Sequence, residues 1–221
     1  MTEPVWFKFY SKYRDARRLG FAHFRRAKIE KENFTIISNN CWGGMIYESY
    51  NLIKQSPTVG LYILPKDYLK FIENLSEYLN YDLNFISPSN SKNKDYIKEY
   101  IKDEKFGTYP IGQLNDIEIY FLHYKSESEA YQKWNRRIKR IEWDRLLFKF
   151  NDQNGCTNDD IKKFCNLKLD NKVCFTVRDG FEMYENVYKI KNPLKEDHVN
   201  TFVEPFGESK ILNVNELIRG L

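Results

Sequence analysis

The sequence has few of the residues that mark secreted, metal-binding or membrane-spanning proteins. Its 221 residues include four cysteines and three histidines, and no two cysteines have the C-x-x-C spacing of zinc or redox motifs. No apolar run approaches the roughly 20 residues that span a bilayer. The first residues also lack the apolar core and cleavage site of a signal peptide. We therefore expect a cytoplasmic protein with reduced, packed cysteines and no metal framework.

Familiar nucleotide and metal motifs are also missing. The chain contains neither the G-x-G-x-x-G fingerprint nor a P-loop, so the sequence does not identify a cofactor. It has no D-x-D motif in a loop, because the acidic stretch around Asp159 is typical of a helix start. This absence argues against a metal-dependent sugar transfer and leaves a glycosyl, acyl or other group transfer without a metal open.

The chain has enough apolar residues for a full core, with 42% hydrophobic and 16% aromatic content. Its net charge of +4 is unevenly distributed: residues 1–32 hold nine Lys or Arg against four acids, so the rest sums to −1. We therefore divide the chain into a basic amphipathic segment, 1–32, and a single α/β domain, 33–221.

The basic segment has two interpretations. In the plainer one, a first helix packs its aromatic side chains on the domain and leaves its arginines in water. In the other, the segment contacts an anionic membrane surface or a partner. A single basic helix without a known nucleic-acid motif does not predict nucleic-acid binding.

From residue 33 onward, short apolar runs alternate with helical patterns. This alternation predicts an α/β fold, a three-layer sandwich with a largely parallel (mixed), Rossmann-like sheet. The predicted strands are 34–38, 59–64, 83–87, 117–123, 146–152 and 172–177.

Polar residues follow several of these strands. Ligands of open α/β sheets bind outside the carboxyl ends of the strands. The loop after the first strand adds flexible glycines, amide side chains and a helix N-terminus that suits a phosphate. Its alternative is an Asn-rich turn with Trp42 as a packing residue. The candidate ligand-binding residues are Ser38, Asn39, Asn40, Trp42, Gly43, Gly44, Lys149 and Arg178.

His123 and Asp152 are the candidate catalytic residues. His123 ends a predicted strand with Ile117, Ile119 and Phe121 on the same face. A histidine there can be a general base, which a nearby Asp152 would orient. The alternative is a hydrogen-bonded histidine within the core.

Four long blocks resemble a known family. They are NFTIISNNCWGGMIYE, SPTVGLYILPKDYLKFIENLSEYL, YPIGQLNDIEIYFLHYKSESEAYQKWNRRIKRI and LLFKFND, within residues 33–177. They look like the bacterial domain-of-unknown-function family nineteen-nineteen, whose members are commonly filed as exopolysaccharide or capsule biosynthesis proteins. The resemblance implies surface-polysaccharide assembly on the cytoplasmic side, and it supplies no catalytic residues.

Two functions remain open at this stage. One is a transferase that acts on a phosphate- or nucleotide-activated donor, with Lys149 or Arg178 neutralising the leaving group. The other is a non-catalytic protein that binds a sugar precursor or assembles a synthase. Either one has a small-molecule sugar precursor or activated donor as its partner, with membrane contact through residues 1–32 as an open alternative.

Overall fold

The computed structural model describes residues 4–191, 193–194 and 196–221. In these ranges strands β1 to β7 are Thr35–Ser38, Asn84–Ile86, Ile111–Leu114, Ile117–Tyr120, Leu146–Asn151, Lys172–Thr176 and Val187–Lys189. Helices α1 to α9 are Val5–Gly20, Ala22–Arg26, Trp42–Ser49, Pro65–Glu73, Leu75–Tyr78, Lys94–Tyr96, Glu127–Ile138, Asn158–Asn166 and Val214–Arg219. Single helical turns lie at Pro88–Asn90, Ile97–Ile101, Trp143–Arg145 and Thr201–Val203.

A parallel sheet with the strand order β1-β5-β6-β7 forms the centre of the molecule. Successive side chains of a strand point to opposite faces, and both faces of this sheet are covered. Ile37, Phe148 and Phe150 belong to one apolar cluster, which includes α4, α7 and α8. Ile36 and Leu147 belong to a second cluster, which includes α3 and α9. The predicted three-layer α/β fold is confirmed.

A smaller antiparallel sheet, ordered β2-β3-β4, lies beside the first apolar cluster. Strands β3 and β4 form a hairpin, whose turn includes Asn115 with φ of +50°. The prediction that His123 ends a strand is wrong, because β4 ends at Tyr120 and His123 lies in the following turn. His123 therefore does not follow a strand of the parallel sheet.

The predicted strand 59–64 is also wrong. Within it only Tyr62 forms a bridge, with Tyr120, and Gly60 turns the backbone with φ of +81°. The strand β7, by contrast, is absent from the sequence-based assignment. The helix start expected around Asp159 is confirmed, because α8 begins at Asn158 and Thr157 caps it. Ser126 caps α7 by accepting a hydrogen bond from the Glu129 amide.

The N-terminal helices lie on the domain, and three of their arginines, Arg14, Arg18 and Arg25, face it. Arg14 donates to the Glu204 carbonyl at 2.7 Å, and Arg25 donates to the Ser49 carbonyl at 2.6 Å. Phe7 is buried, but Phe9 is 69% exposed and Phe24 is 67% exposed. The plainer interpretation, with packed aromatic side chains and solvated arginines, is therefore wrong for most of this segment.

Candidate functional site

A buried polar network lies at the carboxyl ends of β1 and β5. The Lys149 ammonium donates to Asn40 Oδ1 at 2.8 Å and to the Glu204 carboxylate. Asn151 also donates to Glu204, at 2.9 Å, and Asn39 donates to Asn151 Oδ1 at 2.9 Å. Hydrogen bonds thus connect residues from distant parts of the sequence near this edge of the sheet.

Lys149 and Glu204 form the centre of this network, and neither side chain is exposed to solvent. Burial lowers the pKa of Lys149 and raises the pKa of Glu204, while their mutual attraction opposes both changes. A buried ion pair of this kind needs good geometry and further hydrogen bonds to offset its desolvation. Asn40 and Asn151 supply those further bonds.

A cavity of about 470 Å³ adjoins this network. Thr201 connects the two: it lines the cavity and its hydroxyl oxygen accepts from Asn40 Nδ2 at 3.0 Å. The volume lies within the range of ligand-binding clefts. Its walls come from α1, α3, residues 59–60, the turn after β4 and the turn that begins at Thr201, and they include Arg18, Cys41, Gly44, Glu48, His123 and Phe202.

The charges in the cavity wall largely pair with one another. Glu48 accepts from Arg18 at 2.6 Å and from Lys54 at 2.8 Å, and Arg18 also contacts Asp15. Burial would raise the pKa of Glu48, but the hydrogen bonds from Lys54 and Arg18 outweigh it and the pKa is lowered. The wall therefore offers a balanced set of charges with an aromatic side chain, Phe202, beside them.

His123 and Cys41 differ in their readiness to react. Partial burial in the cavity wall lowers the pKa of His123 from its ordinary value, and the charge of Lys105 acts in the same direction. At neutral pH the imidazole is therefore uncharged and able to accept a proton. Burial raises the pKa of Cys41 to about 12, so this residue stays a thiol and lacks the thiolate needed for nucleophilic attack.

We expect His123 to titrate with a midpoint below that of histidine in the urea-unfolded chain. The sign follows from burial, which disfavours the imidazolium, so acid pH favours the unfolded state at this residue. The chain has three histidines. The NMR resonance of His123 is identified as the one that is missing from the spectrum of His123→Gln. A midpoint at or above the unfolded value contradicts this environment.

The loop after β1 is explained mainly by packing. Trp42 is fully buried, contacts Phe175 edge-on and donates its indole N–H to the Pro205 carbonyl at 2.8 Å. An added Cβ on Gly43 would lie 3.2 Å from Ile36, and on Gly44 3.0 Å from Val59. The glycines thus allow α3 to approach β1 and the 59–60 turn closely. Gly44 lines the cavity, whereas Ser38, Asn39 and Asn40 are buried behind it.

Asp152 and Arg178 are held away from His123. The Asp152 carboxylate accepts from Thr176 Oγ1 at 2.7 Å and from the Val177 and Val199 amides at 2.8 and 2.6 Å. Arg178 donates to the Cys156 carbonyl at 2.6 Å and to Asn158. In the described part of the chain neither residue lines the cavity that contains His123.

Several important residues were missed from the sequence. Glu204 stands alone in the apolar stretch TFVEPF, and a carboxylate in such a run needs a buried partner. This pattern could have predicted from the sequence that Glu204 has a buried partner. Arg18, Glu48 and Thr201 carry no comparable signal, because only the docking of α1 and of the chain after β7 brings them to the cavity.

A second cavity, of about 600 Å³, lies between the first turns of α4 and α8. Each turn already carries its own carboxylate: Asp67 binds Lys92 and the Glu118 amide, and Asp160 binds Thr157. These acids complement the helix dipoles, so the cavity is less suited to an added anion. Across the described ranges no group of His, Cys, Asp and Glu is arranged to hold a metal ion.

The fold and the cavity define a three-layer α/β protein whose candidate site adjoins the carboxyl edge of a parallel sheet. The chain belongs to the family described as Domain of unknown function (DUF1919), whose model matches residues 12–217. The match extends beyond residues 33–177 in both directions and includes most of α1 and α9.

A relative from Haemophilus influenzae (strain Rd) carries the name "Uncharacterized protein". It is 34% identical over 180 residues, which cover 81% of this chain and 79% of the relative. Among the helices that the structure describes, none has the length and apolar character needed to cross a membrane.

Proposed function

We propose that this protein is a transferase of bacterial exopolysaccharide or capsule assembly, with its site in the cavity between α1, α3 and the turn after β4. The observation that carries this proposal is the position of His123, a solvent-accessible imidazole of lowered pKa in the wall of that cavity. The link to polysaccharide assembly comes from the way members of the family are commonly filed.

In this proposal His123 acts as a general base on an acceptor sugar. Its neutral ring nitrogen takes the proton from an acceptor hydroxyl while that oxygen bonds to the donor's activated carbon. The bond from that carbon to the donor's phosphate breaks, and the phosphate leaves with the electron pair. Arg18 and Lys54 are the nearby cations, although a donor phosphate must compete with Glu48 for them.

The second candidate is a non-catalytic protein that binds a sugar precursor. Two observations favour it: the cavity cations are already paired with carboxylates, and the carboxylate of Asp152 is bonded elsewhere and does not orient His123. Phe202, 38% exposed at the cavity wall, offers a face on which a sugar ring can stack.

Three variants in the bacterium that encodes the protein separate these functions. His123→Gln removes the base, Met45→Trp fills the cavity while retaining His123, and His23→Gln is a matched control because His23 lies on α2 outside the cavity. For a transferase we expect turnover to fall about 10²–10⁴-fold in His123→Gln, with loss of surface polysaccharide at unchanged protein level.

The pattern of results decides between the candidates. Loss of polysaccharide in both His123→Gln and Met45→Trp supports the transferase. Loss in Met45→Trp alone supports the binding protein. If all three variants produce normal polysaccharide, the cavity is not the functional site and both proposals fail.

A further inference from the structure

The two N-terminal helices and the residue between them carry many of the exposed large apolar side chains in the described part of the chain. The described part of the chain has fifteen exposed large hydrophobic side chains, and seven of them lie between residues 5 and 24. Of these, Val5, Trp6, Phe9 and Tyr13 are separated by three or four residues, apart from the adjacent pair at 5 and 6, so they share one side of the helix. Exposed apolar patches of this kind mark interaction surfaces.

This face is directed outward by contacts on the opposite side of the helix. Arg18 donates a hydrogen bond to the Glu48 carboxylate, and Arg14 donates one to the Glu204 carbonyl. Both acceptors are distant from α1 in sequence. The guanidinium groups of Arg14 and Arg25 also lie over the Phe206 ring, at 5.0 and 5.1 Å. Because Arg14 and Arg18 hold α1 on the domain, the four side chains of this face cannot turn toward the domain unless these partly buried bonds break.

The charges beside the face are positive. Lys8 and Lys12 border it on one side, and Arg17 borders it on the other, close to the Tyr13 ring. Between residues 4 and 24 the single acidic residue is Asp15, which is bonded to Arg18 on the cavity side. A helix with aromatic residues on its free face and cations on both flanks matches the surface of an anionic bilayer.

We propose that α1 docks this face, defined by Val5, Trp6, Phe9 and Tyr13, on a membrane surface rich in anionic lipid. A second copy of the chain is less suitable, because a twofold interface would bring the cations that flank this face in each copy against those of the other. The helix lies in the headgroup region and does not span the bilayer.

Docking in this way has a consequence for the cavity. The same helix contributes Asp15 and Arg18 to the cavity wall, so α1 joins the membrane surface to the candidate site. The inference itself does not rest on the proposed function, because vesicle binding is measured without any substrate.

The test is flotation of the full chain with phosphatidylcholine vesicles that contain about one-third phosphatidylglycerol, compared with phosphatidylcholine alone. Trp6→Ser/Phe9→Ser/Tyr13→Ser should lower the partition coefficient at least about tenfold, and Lys8→Gln/Lys12→Gln should lower it by a similar factor on anionic vesicles. Tyr131→Ser/Trp143→Ser is the matched control, because these exposed side chains lie far along the chain on other elements.

Tryptophan fluorescence gives a second, residue-specific measurement. Trp6 and Trp143 are about half exposed, whereas Trp42 and Trp134 are buried. In Trp143→Phe the emission should shift to shorter wavelength with anionic vesicles, as Trp6 enters the headgroup region.

Three results would overturn the proposal. The first is the absence of binding to anionic vesicles at low salt. The second is equal binding by wild type and the triple serine variant, which would place the contact elsewhere. The third is a wild-type dimer that becomes monomeric in the triple variant without vesicle binding, which would make this face a self-association surface.

Discussion

Glu204→Gln should lower the free energy of unfolding by about 3–5 kcal/mol, because it leaves the buried Lys149 ammonium without its counter-charge. Both side chains are fully buried, so water cannot replace the missing carboxylate. Urea denaturation followed by circular dichroism measures the change. Glu208→Gln is the matched control: Glu208 pairs with Lys28, both side chains are more than half exposed, and such pairs contribute about 0–1 kcal/mol.

The double variant Lys149→Met/Glu204→Gln should recover much of this loss, since it removes the unpaired charge while preserving volume. Asn40 and Asn151 both keep Gln153 as an acceptor, at 2.9 Å in each case. If the double variant is less stable than Glu204→Gln, the effect of Glu204 does not arise from its pairing with Lys149.

The defect of Glu204→Gln should also depend on pH. Burial already lowers the pKa of Lys149, and removing Glu204 takes away the attraction that opposes this change. The unfolded chain, in which lysine has its ordinary pKa, then binds a proton more readily than the folded protein. Stability rises with pH where the unfolded state binds more protons, so the defect should be smaller under alkaline conditions than at neutral pH.

Asp152→Ala should lower the free energy of unfolding by about 2–4 kcal/mol, because it leaves the backbone amides of Val177 and Val199 without acceptors. These bonds join the end of β6 to the segment before the Thr201–Val203 turn. Asp152→Asn should be similarly damaging, since its amide nitrogen would face one of the two N–H groups. Hydrogen exchange at both amides measures the local opening.

Two further measurements test whether Asp152 has a structural or a catalytic role. Asp159→Ala removes a carboxylate of α8 whose side chain is 92% exposed, and its effect should stay below about 1 kcal/mol. The pKa of His123 should be unchanged in Asp152→Asn, because the carboxylate is bonded elsewhere. A shifted His123 pKa with unaltered stability would instead restore the catalytic pair expected from the sequence.

The two incorrectly predicted strands, 59–64 and 117–123, both fail for a local reason. Residues 59–64 and 117–123 have apolar patterns that suit strands of a parallel sheet, but local geometry takes precedence in both places. Gly60 turns the backbone, and the short hairpin between β3 and β4 commits its residues to an antiparallel sheet. A hairpin forms from neighbouring residues, whereas a parallel pair needs a long connection.

Elements with local signals were predictable from the residues alone. The strands at 34–38, 146–152 and 172–177 follow from short apolar runs, and the start of α8 follows from the acidic stretch around Asp159. The sequence also marked the loop after β1 as unusual, and that loop borders the cavity through Cys41 and Gly44.

Which of these residues line the cavity and which are buried depends on how distant segments pack in the folded chain. Lys149 and Asn40 become interior because Glu204, distant in sequence, supplies the partner that a buried charge requires. Three arginines of the basic N-terminal segment face the domain because backbone carbonyls and Glu48 accept their hydrogen bonds, whereas most of its aromatic side chains remain exposed. Such pairings depend on contacts between distant segments, which local patterns in a single sequence do not encode.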